Sequence, residues 1–192
     1  MLKKDLILLG IQGCGKGTQA DLLLKKLPDY LYFEMGETLR SLHLNSNMIG
    51  NYMKDCMNRG DMVDNFITND LMDISLKIAQ KNNKYLLIDG YPRLEEQIQY
   101  FLPRMKDLDR DFVVIHYILP REIAIERMIK RAELEGRKDD NIQAIHRRIE
   151  IFETQTSQII NEIKALGKVI EINANNTIEN TFQESLQKLG IN

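Results

Sequence analysis

Cysteine is scarce in this sequence, and long apolar runs are absent. Only Cys14 and Cys56 occur in the 192 residues, without a C-x-x-C spacing, so we expect no zinc site. Two unpaired thiols fit a reducing, cytoplasmic setting. No apolar run approaches the length of a membrane span, so we expect no membrane partner. The first five residues lead directly into an apolar segment, so we expect no signal peptide.

The sequence also lacks a strong excess of charge of either sign. Its formal net charge is −2, which gives no electrostatic reason to expect nucleic acid as a partner. Hydrophobic residues make up 43% and charged residues 28% of the chain, as is ordinary for a globular protein. The length allows one α/β domain with small insertions.

Short apolar runs alternate with stretches of helical length. The runs that predict strands lie at residues 6–9, 31–33, 85–88, 112–118 and 168–172. Such alternation is typical of a parallel sheet with helices on both faces. We therefore predict an α/β fold, a three-layer sandwich around a central five-stranded parallel sheet.

A glycine-rich segment, residues 10–19, joins the first apolar run to a helical stretch. A turn of this kind can wrap backbone N–H groups around a phosphate. Lys16 would add a positive charge for the outer phosphates. Gly17 takes the place where the general pattern has Ser or Thr, and Thr18 follows one residue later. The segment predicts a phosphate loop (P-loop) that binds a nucleoside triphosphate.

A second motif, DGYPR at residues 89–93, closes the apolar run at residues 85–88. An aspartate at the end of a strand beside a phosphate loop commonly organises Mg²⁺, often through water, so we expect Asp89 to organise the metal. The alternative for Asp89 is a simple turn residue. Arg93 would project a permanently charged guanidinium from the turn into the site. The alternative interpretation of Arg93 is a solvated surface side chain.

Two insertions and a set of arginines complete the pattern. Residues 34–63 are long for one connection and predict a small helical subdomain, and residues 130–140 predict an exposed loop. The planar guanidinium suits phosphate because it donates two parallel hydrogen bonds. Each arginine alone is more commonly a surface residue, but beside the P-loop and Asp89 they predict a convergent cluster. The set is Arg40, Arg93, Arg127, Arg131, Arg137 and Arg148.

Together these motifs resemble the adenylate kinase family of nucleoside monophosphate kinases. Residues 13–18 are similar to its G-x-G-K-G-T loop, residues 36–40 to its G-[DE]-x-L-R segment, and residues 89–97 to its D-G-[FY]-P-R-x-x-x-Q stretch. Residues 127–148 resemble its lid region.

The resemblance implies one P-loop kinase domain over residues 1–192. Its core would comprise residues 1–33, 64–129 and 141–192. Residues 34–63 would be the monophosphate-binding insertion, and residues 130–140 a short lid without zinc.

The same resemblance implies the role of each site residue. The ATP site would be Gly13, Cys14, Gly15, Lys16, Gly17, Thr18, Arg127 and Asn176. The AMP site would be Met35, Arg40, Asp61, Met62, Val63, Gly90, Tyr91, Pro92, Arg93, Gln97, Arg137 and Arg148. The catalytic charges would be Lys16, Arg93, Arg131, Arg137 and Arg148. Mg²⁺ would arrive with ATP and be organised by Asp89, and Gln97 would read the acceptor's adenine.

The activity implied is reversible, Mg²⁺-dependent phosphoryl transfer from ATP to AMP, giving two ADP, by a cytoplasmic monomer. Met35 stands where the family usually has threonine, and Asp64 where it usually has proline. Both flank the acceptor base, so a UMP/CMP kinase is an alternative. Gln97 favours AMP, because those kinases usually have asparagine there. An ATP-switched binding protein is the alternative from another class, and it would hydrolyse ATP slowly without needing a monophosphate.

Overall fold

The computed structural model describes residues 2–135 and 141–191. Within them, the strands are β1 (Asp5–Gly10), β2 (Tyr30–Glu34), β3 (Tyr85–Asp89), β4 (Phe112–Ile118) and β5 (Val169–Asn173). The helices are α1 (Lys16–Lys26), α2 (Met35–His43), α3 (Met48–Arg59), α4 (Asn65–Lys81), α5 (Glu95–Asp107), α6 (Arg121–Glu135), α7 (Ile142–Ile151), α8 (Ser157–Ala165) and α9 (Ile178–Leu189). None of these helices is long and apolar enough to cross a membrane.

The strands form one sheet in the order β2-β3-β1-β4-β5, and every pair is parallel. The predicted five-stranded parallel sheet is therefore confirmed. Parallel strands bring their carboxyl ends to one edge, where α/β proteins bind ligands. The register pairs Asp89 with Leu8 of β1 and with Glu34 of β2. Asp89, Glu34 and the segment that follows β1 thus meet at the same edge.

Helices cover both faces of the sheet, because successive strand side chains point to opposite sides. Ile7 and Ile88 are fully buried on one face, in a cluster that includes residues of α4, α5 and α8. Leu8 and Ile115 are fully buried on the other, in a cluster with residues of α1, α6, α7 and α9. The two apolar layers hold the sheet edge rigidly.

The first insertion is helical, as predicted, and consists of α2 and α3. Asn47 caps α3, since its side chain accepts a hydrogen bond from the Gly50 N–H at 2.8 Å. Gly60 ends α3 at a positive φ of 73°. A Cβ at Gly60 would lie 2.6 Å from the Ala144 carbonyl oxygen, so only glycine lets the end of α3 approach α7 this closely.

The loop predicted at residues 130–140 is wrong in its first half, because α6 continues to Glu135. Residues 130–135 read KRAELE, which are all strong helix formers and include neither glycine nor proline, so nothing there stops the helix. Residues 136–140, which include Arg137, lie outside the described residues.

The predicted helix from about residue 141 to 165 is present, but it contains a π-helical segment, Phe152–Thr156, between α7 and α8. Thr156 is buried in this segment and donates a hydrogen bond to the Arg93 carbonyl oxygen at 3.1 Å. The irregular turn thus supports the DGYPR motif from behind. Thr177 caps α9 as predicted, because its hydroxyl accepts from the Asn180 N–H.

Candidate active site

The P-loop turns tightly between β1 and α1. Gly13 and Gly15 have positive φ values of 85° and 95°, which glycine adopts without steric cost. A Cβ at Gly13 would lie 2.7 Å from the Ala124 carbonyl oxygen, so the loop backbone rests directly on α6. The N-cap residue of α1 is Gly15, which has no side chain that could cap the helix. Its first N–H groups and the positive end of its dipole are therefore suited to an anion.

Lys16 is the first residue of α1, and its ammonium lies against the backbone of the P-loop. Its Nζ donates to the Gly10 carbonyl oxygen at 3.0 Å and lies 3.4 Å from that of Ile11. The side chain is 8% exposed, so the ammonium is held by backbone carbonyls rather than by water. A charge fixed in this way interacts more strongly with an incoming phosphate than a solvated one does.

Cys14 lies beneath the loop, where its Sγ is 3.6 Å from the Lys16 Nζ. Burial raises the pKa of the Cys14 thiol, and the neighbouring Lys16 opposes that shift. The thiol is 3% exposed and does not line the cavity described next. Cys14, which the resemblance placed in the ATP site, is therefore a buried packing residue whose side chain does not face the cavity.

The sheet edge, α2, α3 and α6 enclose a cavity of about 460 Å³. It brings together most of the residues assigned from the sequence. From the predicted ATP site it takes in Gly13, Gly15, Lys16, Gly17, Thr18 and Arg127. From the predicted acceptor site it takes in Met35, Arg40, Asp61, Met62, Val63, Gly90, Arg93, Gln97 and Arg148. Asp89 and Arg131 also line it.

A few assigned residues lie elsewhere. Tyr91 and Pro92 are buried and do not line the cavity, and the Tyr91 hydroxyl donates to the Asn69 Oδ1 at 2.7 Å. Asn176 is exposed outside the cavity. Arg127 nevertheless reaches the same β5–α9 connection, where its guanidinium donates to the Ala174 carbonyl oxygen at 3.4 Å.

Asp89 is 6% exposed, and the cations that act on its carboxylate are Lys16, Arg93 and Arg40. Burial raises the pKa of Asp89, while Lys16 and Arg93 act in the opposite direction. Burial also lowers the pKa of the half-buried Arg93 guanidinium, and the Asp89 carboxylate opposes that shift. The buried charges of this cluster are incompletely compensated within the protein, which suits it to phosphates and a metal ion.

The donor set fits a Mg²⁺ ion that arrives with its nucleotide. Among residues 2–135 and 141–191, no group of three or more His, Cys, Asp or Glu side chains could hold a metal by itself. Mg²⁺ in kinase sites is typically held by one or two carboxylates together with substrate phosphates and water. The single buried carboxylate of Asp89 matches that arrangement.

Gln97 is clamped at the acceptor end of the cavity. Its Oε1 accepts from the Arg93 N–H at 2.8 Å, and its Nε2 donates to the Thr68 hydroxyl at 3.1 Å. Gln97 is 1% exposed, so these partners fix the plane of the amide. One N–H and one lone pair of the amide remain for a ligand.

Several cavity residues were not assigned from the sequence, notably Glu34, Thr68, Met57 and Asp21. Glu34 could have been assigned from the sequence because, like Asp89, it is an acidic residue that closes an apolar strand of a parallel sheet. Thr68 had none, because a threonine inside a helix is common and its hydroxyl is assigned only by its contact with Gln97.

Comparison with known proteins decides the family. A family model described as adenylate kinase matches residues 8–168. The chain belongs to the adenylate kinase family. An adenylate kinase of Prochlorococcus marinus (strain AS9601) is 34% identical, covering 98% of this chain and 100% of the relative. Adenylate kinase 1 of Schistosoma mansoni is 33% identical, covering 98% and 95%. A uridylate kinase of Saccharomyces cerevisiae is 30% identical, covering 93% and 87%.

We expect the buried charge of Asp89 to lower the stability of the folded protein. Because burial raises the pKa of Asp89, the folded state holds the deprotonated carboxylate at a cost near neutral pH. We expect Asp89→Asn to raise Tm by about 2–4 °C at about pH 7. A gain of about 1 kcal/mol in the free energy of unfolding shifts Tm by this amount in a chain of this length. The gain should shrink as the pH falls through the raised pKa of the folded state, and it should vanish below about pH 3, where the wild-type carboxyl is protonated in both states.

Thermal melts of the wild type and Asp89→Asn across this pH range measure the effect. Asp107→Asn is the matched control, because Asp107 is exposed at the end of α5 outside the cavity. A lower Tm for Asp89→Asn at neutral pH would show that Lys16 and Arg93 outweigh the cost of burial.

Proposed function

We propose that the protein is a nucleoside monophosphate kinase that transfers the γ-phosphoryl group of ATP reversibly to AMP, giving two ADP. One observation carries the proposal. Lys16, Asp89, Arg40 and Arg93 line a single cavity of about 460 Å³, so phosphate-binding groups for two nucleotides face one another. A site for one nucleotide alone would not need Arg40 and Arg93 in addition to Lys16 and the P-loop.

The donor would bind along the P-loop. The N–H groups at the start of α1 and the Lys16 ammonium would hold the outer phosphates. Arg127 would pack on the adenine, near the β5–α9 connection that it contacts. Asp89 would hold Mg²⁺ through water, and the ion would supply charge neutralisation on the phosphate oxygens.

The acceptor would bind with its phosphate between Arg40 and Arg93. An acceptor phosphate oxygen attacks the γ-phosphorus, the bond to the β–γ bridging oxygen breaks, and its electron pair leaves with ADP. The acceptor oxygen is already anionic, so no general base is needed. Catalysis then consists of alignment and charge stabilisation by Lys16 and the arginines.

The lid arginines would complete the site. Arg131 and Arg148 line the cavity, and Arg148 donates to the Met57 carbonyl oxygen at 3.3 Å, which joins α7 to the acceptor-binding insertion. We propose that these side chains, with Arg137, close over the phosphates when both nucleotides bind. Closure would exclude water, which otherwise competes as an acceptor.

The Gln97 amide supports AMP as the acceptor. The N–H and lone pair left on it complement the N1 acceptor and the N6 amine of adenine. The fixed amide cannot exchange its donor and acceptor ends without placing its NH₂ against the Arg93 N–H. A UMP/CMP kinase remains the second candidate, because Met35 is buried in the cavity wall where the family usually offers a threonine hydroxyl.

We further propose that the enzyme acts as a monomer in the cytoplasm. Cys14 and Cys56 are buried and unpaired, which fits a reducing compartment.

A coupled assay of ADP formation with Mg²⁺-ATP and each of AMP, UMP, CMP and GMP tests the acceptor. We expect AMP to give the highest kcat/KM by at least about tenfold, as hydrogen-bonded base recognition permits. A higher kcat/KM for UMP or CMP would reject AMP as the acceptor and leave the kinase assignment standing. Equal rates with and without every monophosphate would reject the kinase.

A further inference from the structure

Glu34 places a negative charge beside the arginines that are proposed to bind the acceptor phosphate. It is the last residue of β2 and lies beside Asp89 of β3 in the sheet register. It lines the same cavity as Arg40 and Arg93. Carboxylates normally repel phosphates, so its presence there needs an explanation.

Its contacts show where that charge is used. Glu34 Oε1 accepts a hydrogen bond from the Arg40 guanidinium at 2.8 Å, forming an ion pair. The Tyr32 hydroxyl donates a hydrogen bond to Glu34 Oε2 at 3.4 Å. Burial raises the pKa of Tyr32, so this hydroxyl remains a donor. The carboxylate is thus held on Arg40 from its other side.

The ion pair lies against the backbone of α2. A Cβ at Gly36 would stand 3.2 Å from Arg40 Nη1 and 3.5 Å from Glu34 Oε1. The side chains of Arg40 and Glu34 are 24% and 27% exposed, so both are reachable from the cavity. A phosphate that comes to Arg40 therefore meets a carboxylate already bound there.

We propose that the Glu34 carboxylate competes with the acceptor phosphate for Arg40. The inference rests on the proposed function, in which Arg40 holds that phosphate. The tethered carboxylate has a high effective concentration at Arg40. An anion with no other contact must displace it unaided, whereas a nucleotide also binds through its base. Glu34 thereby weakens the binding of every phosphate group to Arg40 by a similar factor, so a small phosphate-like anion binds too weakly to occupy the site, whereas a nucleoside monophosphate keeps sufficient affinity through its base.

Glu34→Gln is the variant that tests the competition, because it keeps the shape of the side chain and removes its charge. We expect the inhibition constant of sulfate against AMP to fall by about five- to tenfold, as loss of a charge-assisted partner allows. The KM for AMP should fall in the same direction, and the KM for ATP should not change. Tyr32→Phe keeps the charge of Glu34 but removes the hydrogen bond from the Tyr32 hydroxyl that holds the carboxylate in place. The same changes should therefore appear, but they should be smaller.

The matched control is Glu162→Gln, because Glu162 is exposed on α8, outside the cavity. Glu162→Gln also removes one negative charge, but it should leave the inhibition constant of sulfate and the KM for AMP unchanged. A second readout does not require turnover: at constant ionic strength, added sulfate should raise the Tm of Glu34→Gln more than that of the wild type.

The outcomes separate this inference from the proposed function. An unchanged or weaker affinity for sulfate in Glu34→Gln, by inhibition or by Tm, overturns the competition and makes Glu34 a residue that positions Arg40 for binding. Absence of monophosphate-dependent ADP formation in the wild type rejects the kinase instead, and the sulfate-dependent Tm then still reports whether Glu34 competes for Arg40.

Discussion

Lys16→Ala should lower kcat by about 10²–10³-fold, the usual loss when one fixed donor to a developing charge is removed. The Lys16 ammonium is buried and held by the Gly10 and Ile11 carbonyls, so it requires little reorganisation when the phosphates arrive. No other described cation takes part in the P-loop itself, where the side chains of residues 10–15 are uncharged. Steady-state kinetics with saturating ATP and AMP measure the loss.

Two further variants make the Lys16 result specific to charge. Lys16→Met keeps most of the aliphatic stem and should lose as much activity as Lys16→Ala. Lys25→Met removes a cation from the exposed side of the same helix and should keep wild-type kcat. Near-normal turnover in Lys16→Met, with the fold retained by circular dichroism, would refute the role of the ammonium.

Arg93→Ala should lower kcat/KM for the acceptor by about 10²–10³-fold and leave the KM for ATP nearly unchanged. The backbone of Arg93 is clamped on both sides, because its N–H donates to Gln97 and its carbonyl accepts from Thr156. A Cβ at Gly90 would stand 2.6 Å from Arg93 Nη2, so glycine makes room for the guanidinium. The Arg93 side chain is therefore held in position before any ligand binds.

Lysine should not replace Arg93, because a single ammonium lacks the two parallel donors that grip a phosphate. Arg93→Lys should recover only a small part of the activity lost in Arg93→Ala. Arg121→Ala is the control, because Arg121 forms an exposed ion pair with Glu153 outside the cavity and such pairs contribute little. A rise in the KM for ATP as large as the rise in the KM for AMP would contradict an acceptor-specific role.

The sequence was sufficient for the sheet and the P-loop because local signals coincide there. The apolar run at residues 6–9, the glycines and Lys16 are contiguous, and each predicts the same strand–loop–helix unit. Asp89 could be assigned because parallel strands carry their carboxyl ends to one edge. The end of α6 could not be placed as well, because charge was taken as a sign of a loop although the residues are helix formers.

Contacts between distant segments could not be predicted. Asp5 is fully buried in β1 and pairs with Arg110 at 2.6 Å, although nothing near either residue distinguishes it from a surface charge. The contact between Gln97 and Thr68 joins α5 to α4 across the cavity, and it depends on how those helices pack. Such pairs are decided by tertiary structure, which local sequence patterns do not encode.

The fate of the γ-phosphoryl group of ATP tests the central claim most directly. With γ-labelled ATP, Mg²⁺ and AMP, the kinase proposed here should place the label in newly formed ADP, with little inorganic phosphate. Omission of AMP should stop consumption of ATP, because closure of the site requires both nucleotides. Label released as inorganic phosphate at the same rate with and without AMP would contradict the account and identify an ATP-hydrolysing switch.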